Sequence, residues 1–202
     1  MLRLNKKFLL TAVFLIIFAS PSYPAAKKQD STGKNISELF MSVNPSLSAK
    51  IANSYSGLVL EACKKYKQDP YAIAAIIVHE STVNNKAVSK GGDYGLMQIH
   101  WSAHSSTVKQ RFNIKNGRGL FDPRINIFYG TEIFASCTAK SKSLKEAFMR
   151  YSSGSERLTA KALATVQELR AKDNNNKAVK INNNKKPAKP EKPARRIKVK
   201  KR

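Results

Sequence analysis

The chain has 202 residues, 42% of them apolar, and its 37 Lys and Arg against 13 Asp and Glu give a net charge of +24. This length allows one domain of common size with extensions and a substantial buried core. The three histidines, His79, His100 and His104, match no common zinc spacing, and no Cys-His motif surrounds either cysteine. Composition therefore argues against a zinc enzyme and a cysteine hydrolase, and the basic balance favours acidic partners.

Residues 1–26 have the order of a secretory signal peptide. Basic residues precede an apolar run from Phe8 to Ala19, and small residues and prolines follow it as far as Ala26. The run is shorter than the about 20 apolar residues that span a bilayer. No cysteine follows it to carry a lipid anchor. We therefore expect cleavage and export, with a soluble mature protein in the periplasm or cell wall.

Residues 27–46 are predicted to form an N-terminal lead-in. The part that ends at Asn35 is polar and is expected to be loose, with one short amphipathic turn before Pro45. A longer helix is predicted after Ser46 or Ser48, either of which is a suitable N-cap. Its apolar residues recur at three- and four-residue spacing and predict one buried face, formed by Ile51, Tyr55, Leu58, Ala62 and Tyr66.

The next predicted helix carries the first candidate for chemistry. Asp69 is its N-cap, Pro70 suits the first turn, and the residues that follow as far as Val78 are apolar on every side, which is typical of a buried helix. Glu80 stands at the far end, where apolar surroundings and the negative end of the helix dipole both raise a carboxyl pKa. A carboxylic acid still protonated near neutral pH can act as a general acid. The alternative is a solvated carboxylate at a helix end.

Downstream of Glu80, residues 81–98 contain turn signals and predict a short strand or hairpin. Helices are then predicted for residues 101–112, after the Asp122-Pro123 pair, after the capping box of Ser143 and Glu146, and for residues 158–171, with a basic loop at 113–119. These elements predict a mainly α domain of the α+β kind over residues 47–171. It is a compact helical domain with a small irregular or β excursion beside the helix that carries Glu80.

The C-terminal segment, residues 172–202, has a different composition. It holds 13 basic and 2 acidic residues and is rich in Asn and Pro. A segment so charged and so poor in apolar residues does not offset its ordering entropy, and we predict a disordered tail.

The two cysteines leave two alternatives open. Cys63 and Cys137 both lie on inward faces of predicted helices, and an exported protein meets an oxidising compartment. They form either a disulfide or two buried thiols.

Several short motifs follow Glu80 in a distinctive order. They are Glu80-Ser81, Asn84, Ala87-Val88-Ser89, Gly91-Gly92, Tyr94 to Ile99 (YGLMQI), Leu120 to Pro123, Asn126-Ile127, Gly130 and, more weakly, Tyr151 to Gly154. Together they resemble the soluble lytic transglycosylase (SLT) domain of the goose-type lysozyme-like superfamily, over roughly residues 47 to 160. Ser152 departs from the pattern, since the family usually has Asn after the tyrosine.

The resemblance implies a peptidoglycan lytic transglycosylase without a cofactor or metal. Glu80 would protonate the β-1,4 glycosidic oxygen between N-acetylmuramic acid and N-acetylglucosamine. The same residue would then act as a base on the sugar's six-hydroxyl and close a 1,6-anhydro ring. Ser81 and Tyr151 would support Glu80. The substrate would be bound by Tyr94, Gly95, Leu96, Met97 and Gln98. A two-carboxylate glycosidase would need a second acid, for which Asp93 and Asp122 are the candidates.

Partners follow from the same resemblance and from charge. Peptidoglycan glycan strands are the expected substrate, and an envelope-spanning secretion or pilus machine is an expected partner for a local wall-opener. The basic tail is expected either to contact acidic envelope surfaces or to act as a solvated extension, and the export signal argues against nucleic acid. Two other functions stay open: a lysozyme-type hydrolase and a non-catalytic peptidoglycan-binding scaffold.

Overall fold

The computed structural model describes residues 31–184, and side chains for residues 31–176. Over this range the chain forms seven α-helices, one short 3₁₀ helix at Gly117–Phe121 and a two-stranded antiparallel hairpin. In chain order the elements are α1 (Ser31–Val43), α2 (Ala49–Tyr66), α3 (Pro70–Ser81), β1 (Asp93–Tyr94), β2 (Ile99–His100), α4 (Trp101–Phe112), α5 (Pro123–Ala139), α6 (Leu144–Tyr151) and α7 (Glu156–Asn184). The predicted mainly α fold with a small β excursion is confirmed.

Helix α3 lies at the centre of the fold. Asp69 caps it by accepting a hydrogen bond from the Tyr71 N–H, and every residue from Tyr71 to Val78 is at most 6% exposed. Helices α1, α2 and α7 pack around it. Burying one large aliphatic side chain stabilises a fold by about 1.5–3 kcal/mol, so this run fixes the helix firmly. The helix thereby fixes the position of Glu80 in its last turn.

Helices α2 and α5 run side by side in the same direction. Three side-chain contacts occur in the same order along α2 and α5. They join Glu61 to Arg124, Tyr66 to Glu132 and, just beyond the end of α2, Gln68 to Thr138. The N-cap of α2 is Ser48, one of the two predicted caps. Its predicted buried face is confirmed for Tyr55, Leu58 and Ala62.

The prediction for Ile51 is wrong, because this side chain is 42% exposed. The buried stripe of α2 runs through Ala52, Tyr55, Val59 and Ala62. Ile51 therefore lies at the edge of that stripe, in the first turn of the helix.

A second, smaller apolar cluster lies beneath the hairpin. Its buried members are Ile99, Val108, Leu120 and Tyr129, with half-buried side chains such as Tyr94 packed against them. The hairpin, α4, the 3₁₀ helix and α5 all contribute to it, and the register pairs Asp93 with His100 and Tyr94 with Ile99. This cluster holds the hairpin against α5.

Both predicted ends of the domain need correction. Helix α1 begins at Ser31, so the prediction of a loose lead-in is wrong for residues 31–35. The amphipathic turn expected before Pro45 is part of this helix, with Ile36 and Phe40 fully buried in the main core. At the other end, α7 continues to Asn184, so the prediction of disorder from residue 172 is wrong for residues 172–184. Contacts with α1 explain the helix as far as residue 176: Asp173 is 6% exposed and accepts from Ser31, Lys172 pairs with Glu38, and Asn176 donates to Asn35.

Residues 1–30 and 185–202 lie outside the described part of the chain, and with them the predicted signal peptide and the distal tail. Among the described helices, none combines the length and apolar character that a membrane crossing requires. In this structure Cys63 and Cys137 are free thiols and do not form a disulfide. Cys63 is buried and Cys137 is half-buried. Burial and, to a lesser extent, the Asp69 charge raise the pKa of the Cys63 thiol to about 12.

Candidate active site

Glu80 occupies the end of α3, where the backbone turns sharply out of the helix. Thr82 follows with φ 50°, in the left-handed conformation, and its N–H donates to the Val78 carbonyl. Burial, and next the negative charge of Asp93, raise the pKa of Glu80 to about 7. The carboxyl group is therefore protonated in a large fraction of molecules at neutral pH, as a general acid requires.

Asn126 on α5 fixes the loop that runs beside Glu80. Its side chain is fully buried, its Oδ1 accepts from the Met97 N–H at 2.7 Å, and its Nδ2 donates to the Tyr94 and Leu120 carbonyls at 2.8 and 2.9 Å. Gly95 has φ +79°, and a Cβ there would lie 2.3 Å from Asn126 Nδ2. The loop therefore requires a glycine next to this asparagine.

Asn126 is the residue of the site whose role sequence reasoning missed. It belonged to the motif series but was given no function. A signal was present, because Asn126 lies at four-residue spacing from Gly130 and Phe134 and therefore shares a helix face with them. A buried amide there must be satisfied by hydrogen bonds, and the neighbouring loop satisfies it.

Residues 95–97 lie inside the domain. Gly95 is buried, the side chains of Leu96 and Met97 are fully buried, and Met97 packs against Gly130 of α5. The Met97 side chain therefore fills the core, and substrate binding by residues 95–97 stays a prediction.

Gln98 is half-buried and has φ 47°. Its Nε2 donates to the Gly95 carbonyl at 2.8 Å and to the Ala87 carbonyl at 3.3 Å. Both amide protons of Gln98 thus hold the loop closed, and the side-chain oxygen is the polar group left for a ligand. Tyr94 is half-buried against Phe121, with ring centroids 6.0 Å apart.

Tyr151 joins α6 to the same loop. Its hydroxyl donates to the Met97 carbonyl at 2.8 Å. Burial, and after it the charge of Glu80, raise the pKa of Tyr151 well above its usual value. The structure therefore brings Tyr151, the loop and Glu80 together, and Tyr151 stays protonated as a hydrogen-bond donor.

Ser81 lies on α3 next to Glu80, but its hydroxyl donates to the Ile77 carbonyl at 3.0 Å. This bond uses the only proton of the hydroxyl, so Ser81 has none to donate to the Glu80 carboxylate. Ser152, at the position where the family usually has Asn, stays within its own turn and contacts the Ser155 carbonyl. Neither serine hydroxyl donates to Glu80.

Asp93 and Asp122, the two candidates for a second carboxylate, are placed differently. Asp122 caps α5 by accepting from the Arg124 and Ile125 N–H groups. Asp93 lies at the start of β1, is close enough to raise the pKa of Glu80, and accepts hydrogen bonds from Ser89 and His100. Only Asp93 therefore shares the site with Glu80.

His79 packs against α7, and its Nε2 contacts the Thr165 hydroxyl at 2.9 Å. Within residues 31–176, no group of three His, Cys, Asp or Glu side chains is arranged to hold a metal ion.

Comparison with known proteins agrees with this geometry. The profile of the family described as "Transglycosylase SLT domain" matches residues 57–176, more than half of the chain. A protein of Buchnera aphidicola subsp. Acyrthosiphon pisum (strain APS), "Membrane-bound lytic murein transglycosylase E", is 35% identical over 103 residues, which cover 48% of this chain and 46% of the relative. "Membrane-bound lytic murein transglycosylase C" of Salmonella arizonae (strain ATCC BAA-731 / CDC346-86 / RSK2980) is 37% identical over 89 residues, which cover 43% of this chain and 25% of the relative. The chain thus spans less than half the length of these relatives.

Proposed function

The chain belongs to the transglycosylase SLT domain family, and from this premise we propose that it is a peptidoglycan lytic transglycosylase. The proposed reaction cleaves the β-1,4 bond between N-acetylmuramic acid and N-acetylglucosamine and leaves a 1,6-anhydro sugar. The names of the two relatives, both lytic murein transglycosylases, support this activity.

The proposed mechanism uses Glu80 twice. In the first step the protonated carboxyl donates its proton to the glycosidic oxygen, and an oxocarbenium-like sugar supported by its own acetamido group remains. In the second step the carboxylate takes the proton of the six-hydroxyl, which attacks the anomeric carbon and closes the ring. No water enters the product, so the reaction is a lyase-type cleavage.

One observation carries the proposal: Glu80 follows the buried run Tyr71 to Val78 in the last turn of α3 and has a pKa raised to about 7. A group with this pKa is protonated often enough to act as an acid and ionised often enough to act as a base. The surrounding loop, held by Asn126 and Tyr151, supplies a rigid wall beside it.

The test is mass spectrometry of the muropeptides that the protein releases from purified sacculi. The native protein is compared with Glu80→Gln and with Glu156→Gln, a control in the exposed first turn of α7. We expect products that end in 1,6-anhydromuramic acid from the native and control proteins, and a loss of about 100-fold or more in Glu80→Gln.

Two alternatives have their own outcomes. Reducing-end products would indicate a lysozyme-type hydrolase, for which the proximity of Asp93 to Glu80 provides a second carboxylate. No release by folded native protein would indicate a peptidoglycan-binding scaffold.

Location and partners are further parts of the proposal. We propose export through residues 1–26, action in the periplasm or cell wall, and a role as a local wall-opener for an envelope secretion or pilus machine. Glycan strands are the proposed substrate. The basic distal tail is proposed to contact acidic envelope surfaces, since its charge favours such partners.

A further inference from the structure

Three polar side chains form a hydrogen-bonded chain at the junction of the hairpin and α4. Ser102 Oγ lies 2.8 Å from His100 Nε2, and His100 Nδ1 lies 2.8 Å from Asp93 Oδ1. The other Asp93 oxygen accepts from Ser89 Oγ. Asp93 is thus held from both sides, and it holds the imidazole in turn.

The direction of each hydrogen bond follows from the chemistry of the carboxylate. An ionised Asp93 can only accept, so the proton between it and His100 belongs to Nδ1. In neutral imidazole the other nitrogen, Nε2, then has a free lone pair and accepts from the Ser102 hydroxyl. These are the roles of nucleophile, base and orienting acid in a serine hydrolase.

The start of α4 provides a place for developing negative charge. Ser102 lies in the first turn of this helix, and the N-cap residue His100 makes no side-chain capping bond. The Trp101 N–H donates to the Gly92 carbonyl, while the N–H groups of Ser102 and Ala103 belong to the first turn, where helices have no internal partners for them. Such N–H groups suit the oxyanion of an acyl-transfer intermediate.

The three side chains are also accessible. Ser102 is exposed, and the His100 side chain is 45% exposed. An ester can therefore reach the hydroxyl from solvent, and an exposed nucleophile offers few walls to bind a long acyl chain. The arrangement fits small acyl groups.

We propose that Ser102, His100 and Asp93 form a second catalytic site that hydrolyses small acyl esters. Ser102 Oγ attacks the ester carbonyl carbon while His100 Nε2 takes the hydroxyl proton. The carbon–oxygen bond to the alcohol then breaks, and His100 returns the proton to the departing alcohol. Water, deprotonated by His100, attacks the acyl-serine carbonyl carbon. The bond from this carbon to Ser102 Oγ breaks, His100 gives the proton to Oγ, and the carboxylic acid leaves.

Sugar hydroxyl esters are the proposed natural substrates, and this part of the proposal rests on the proposed function. Ring closure needs a free six-hydroxyl on the sugar, and an acyl group there would block the attack. Because Asp93 lies close to Glu80, an esterase at this place would remove that block on the same strand.

The experiment uses the full chain with p-nitrophenyl acetate as substrate and a fluorophosphonate probe as a serine label. Ser102→Ala and His100→Gln are compared with Ser106→Ala, another exposed serine of α4. We expect hydrolysis to fall by about 100-fold or more in the first two variants and to stay unchanged in the third. Peptide mass spectrometry should locate the label on Ser102.

Circular dichroism of each variant verifies that it is folded. Glu80→Gln should keep its ester hydrolysis and its label, which separates this site from the glycan-cleaving one. Hydrolysis that persists in Ser102→Ala would overturn the proposal, because an exposed imidazole alone can cleave this substrate slowly. Native hydrolysis equal to the buffer rate, or a label elsewhere, would also overturn it.

Discussion

At the residue scale, the pKa of Glu80 determines how the proposed activity depends on pH. The first step needs the protonated carboxyl, whose pKa is raised to about 7 by burial and then by Asp93. We predict that kcat/KM on glycan strands falls as the pH rises through this value. Asp93→Asn removes a like charge, so the pKa of Glu80 should fall and the alkaline limb should move to lower pH.

Initial rates across a pH series measure this shift, and an NMR titration of the Glu80 carboxyl carbon checks it without activity. Glu61→Gln, which alters an exposed carboxylate paired with Arg124 on another face, is the matched control. An unchanged Glu80 titration in Asp93→Asn would contradict the assigned cause.

The same carboxyl group affects stability. Its folded pKa of about 7 exceeds the reference value of 4.5, so the folded state binds the proton more tightly. The corresponding stabilisation is present below the unfolded pKa and is lost as the pH rises through about 7. We predict that, at pH values above this range, the free energy of unfolding of Glu80→Gln exceeds that of the native protein by at most roughly 3 kcal/mol. Urea unfolding measures this difference. The difference should shrink in acid, and an equal difference at every pH would contradict it.

The raised pKa of the Glu80 carboxyl could be predicted from the sequence, because the uninterrupted apolar run before it supplies the burial, while its catalytic role stays a prediction. The orientation of Met97 and Gln98 was not predictable in this way. It depends on a loop with positive φ at Gly95 and Gln98 and on Asn126, which is 29 residues from Met97. Side-chain direction in such a loop follows from long-range hydrogen bonds.

At the scale of elements, Asn126 joins α5 to the active-site loop by three hydrogen bonds. We predict that Asn126→Ala destabilises the fold by about 1–3 kcal/mol or more, because buried backbone groups at Tyr94, Met97 and Leu120 lose their partner. Urea unfolding measures the change. Asn53→Ala on the exposed side of α2 is the matched control and should have little effect. Equal effects of the two substitutions would contradict this role.

Element boundaries were predicted where a cap specifies them. Asp69, Asp122 and Ser143 each accept backbone N–H bonds at the start of a helix, as their sequence context indicated. Helix α1 and the distal part of α7 lack such signals. Helix α1 is ordered by burial of Ile36 and Phe40 in the main core, and residues 172–176 by hydrogen bonds to α1. Segments so far apart along the chain cannot be paired from local composition.

At the scale of the whole molecule, hydrogen bonds between α1 and α7 join the first and last helices of the domain. Deleting residues 172–202 removes the bonds of Lys172, Asp173 and Asn176 to α1. We predict a loss of roughly 1–3 kcal/mol in unfolding free energy, because the buried polar groups of α1 lose their partners. Deleting only residues 185–202 leaves these bonds in place and should preserve stability. Thermal unfolding compares the two truncations, and equal melting temperatures would contradict a structural role for residues 172–184.

Deleting only residues 185–202 also tests whether the basic tail binds acidic envelope surfaces. Residues 185–202 carry ten basic residues and one acidic residue, so their removal changes charge without removing α7 contacts. If the tail contacts acidic envelope surfaces, the truncated protein should pellet less with purified sacculi at low salt and should lose most of its salt dependence. A full-length variant with Gln in place of the tail Lys and Arg separates charge from length. Salt-sensitive binding that survives the truncation would assign the attraction to the folded domain, whose described residues are themselves rich in Lys and Arg.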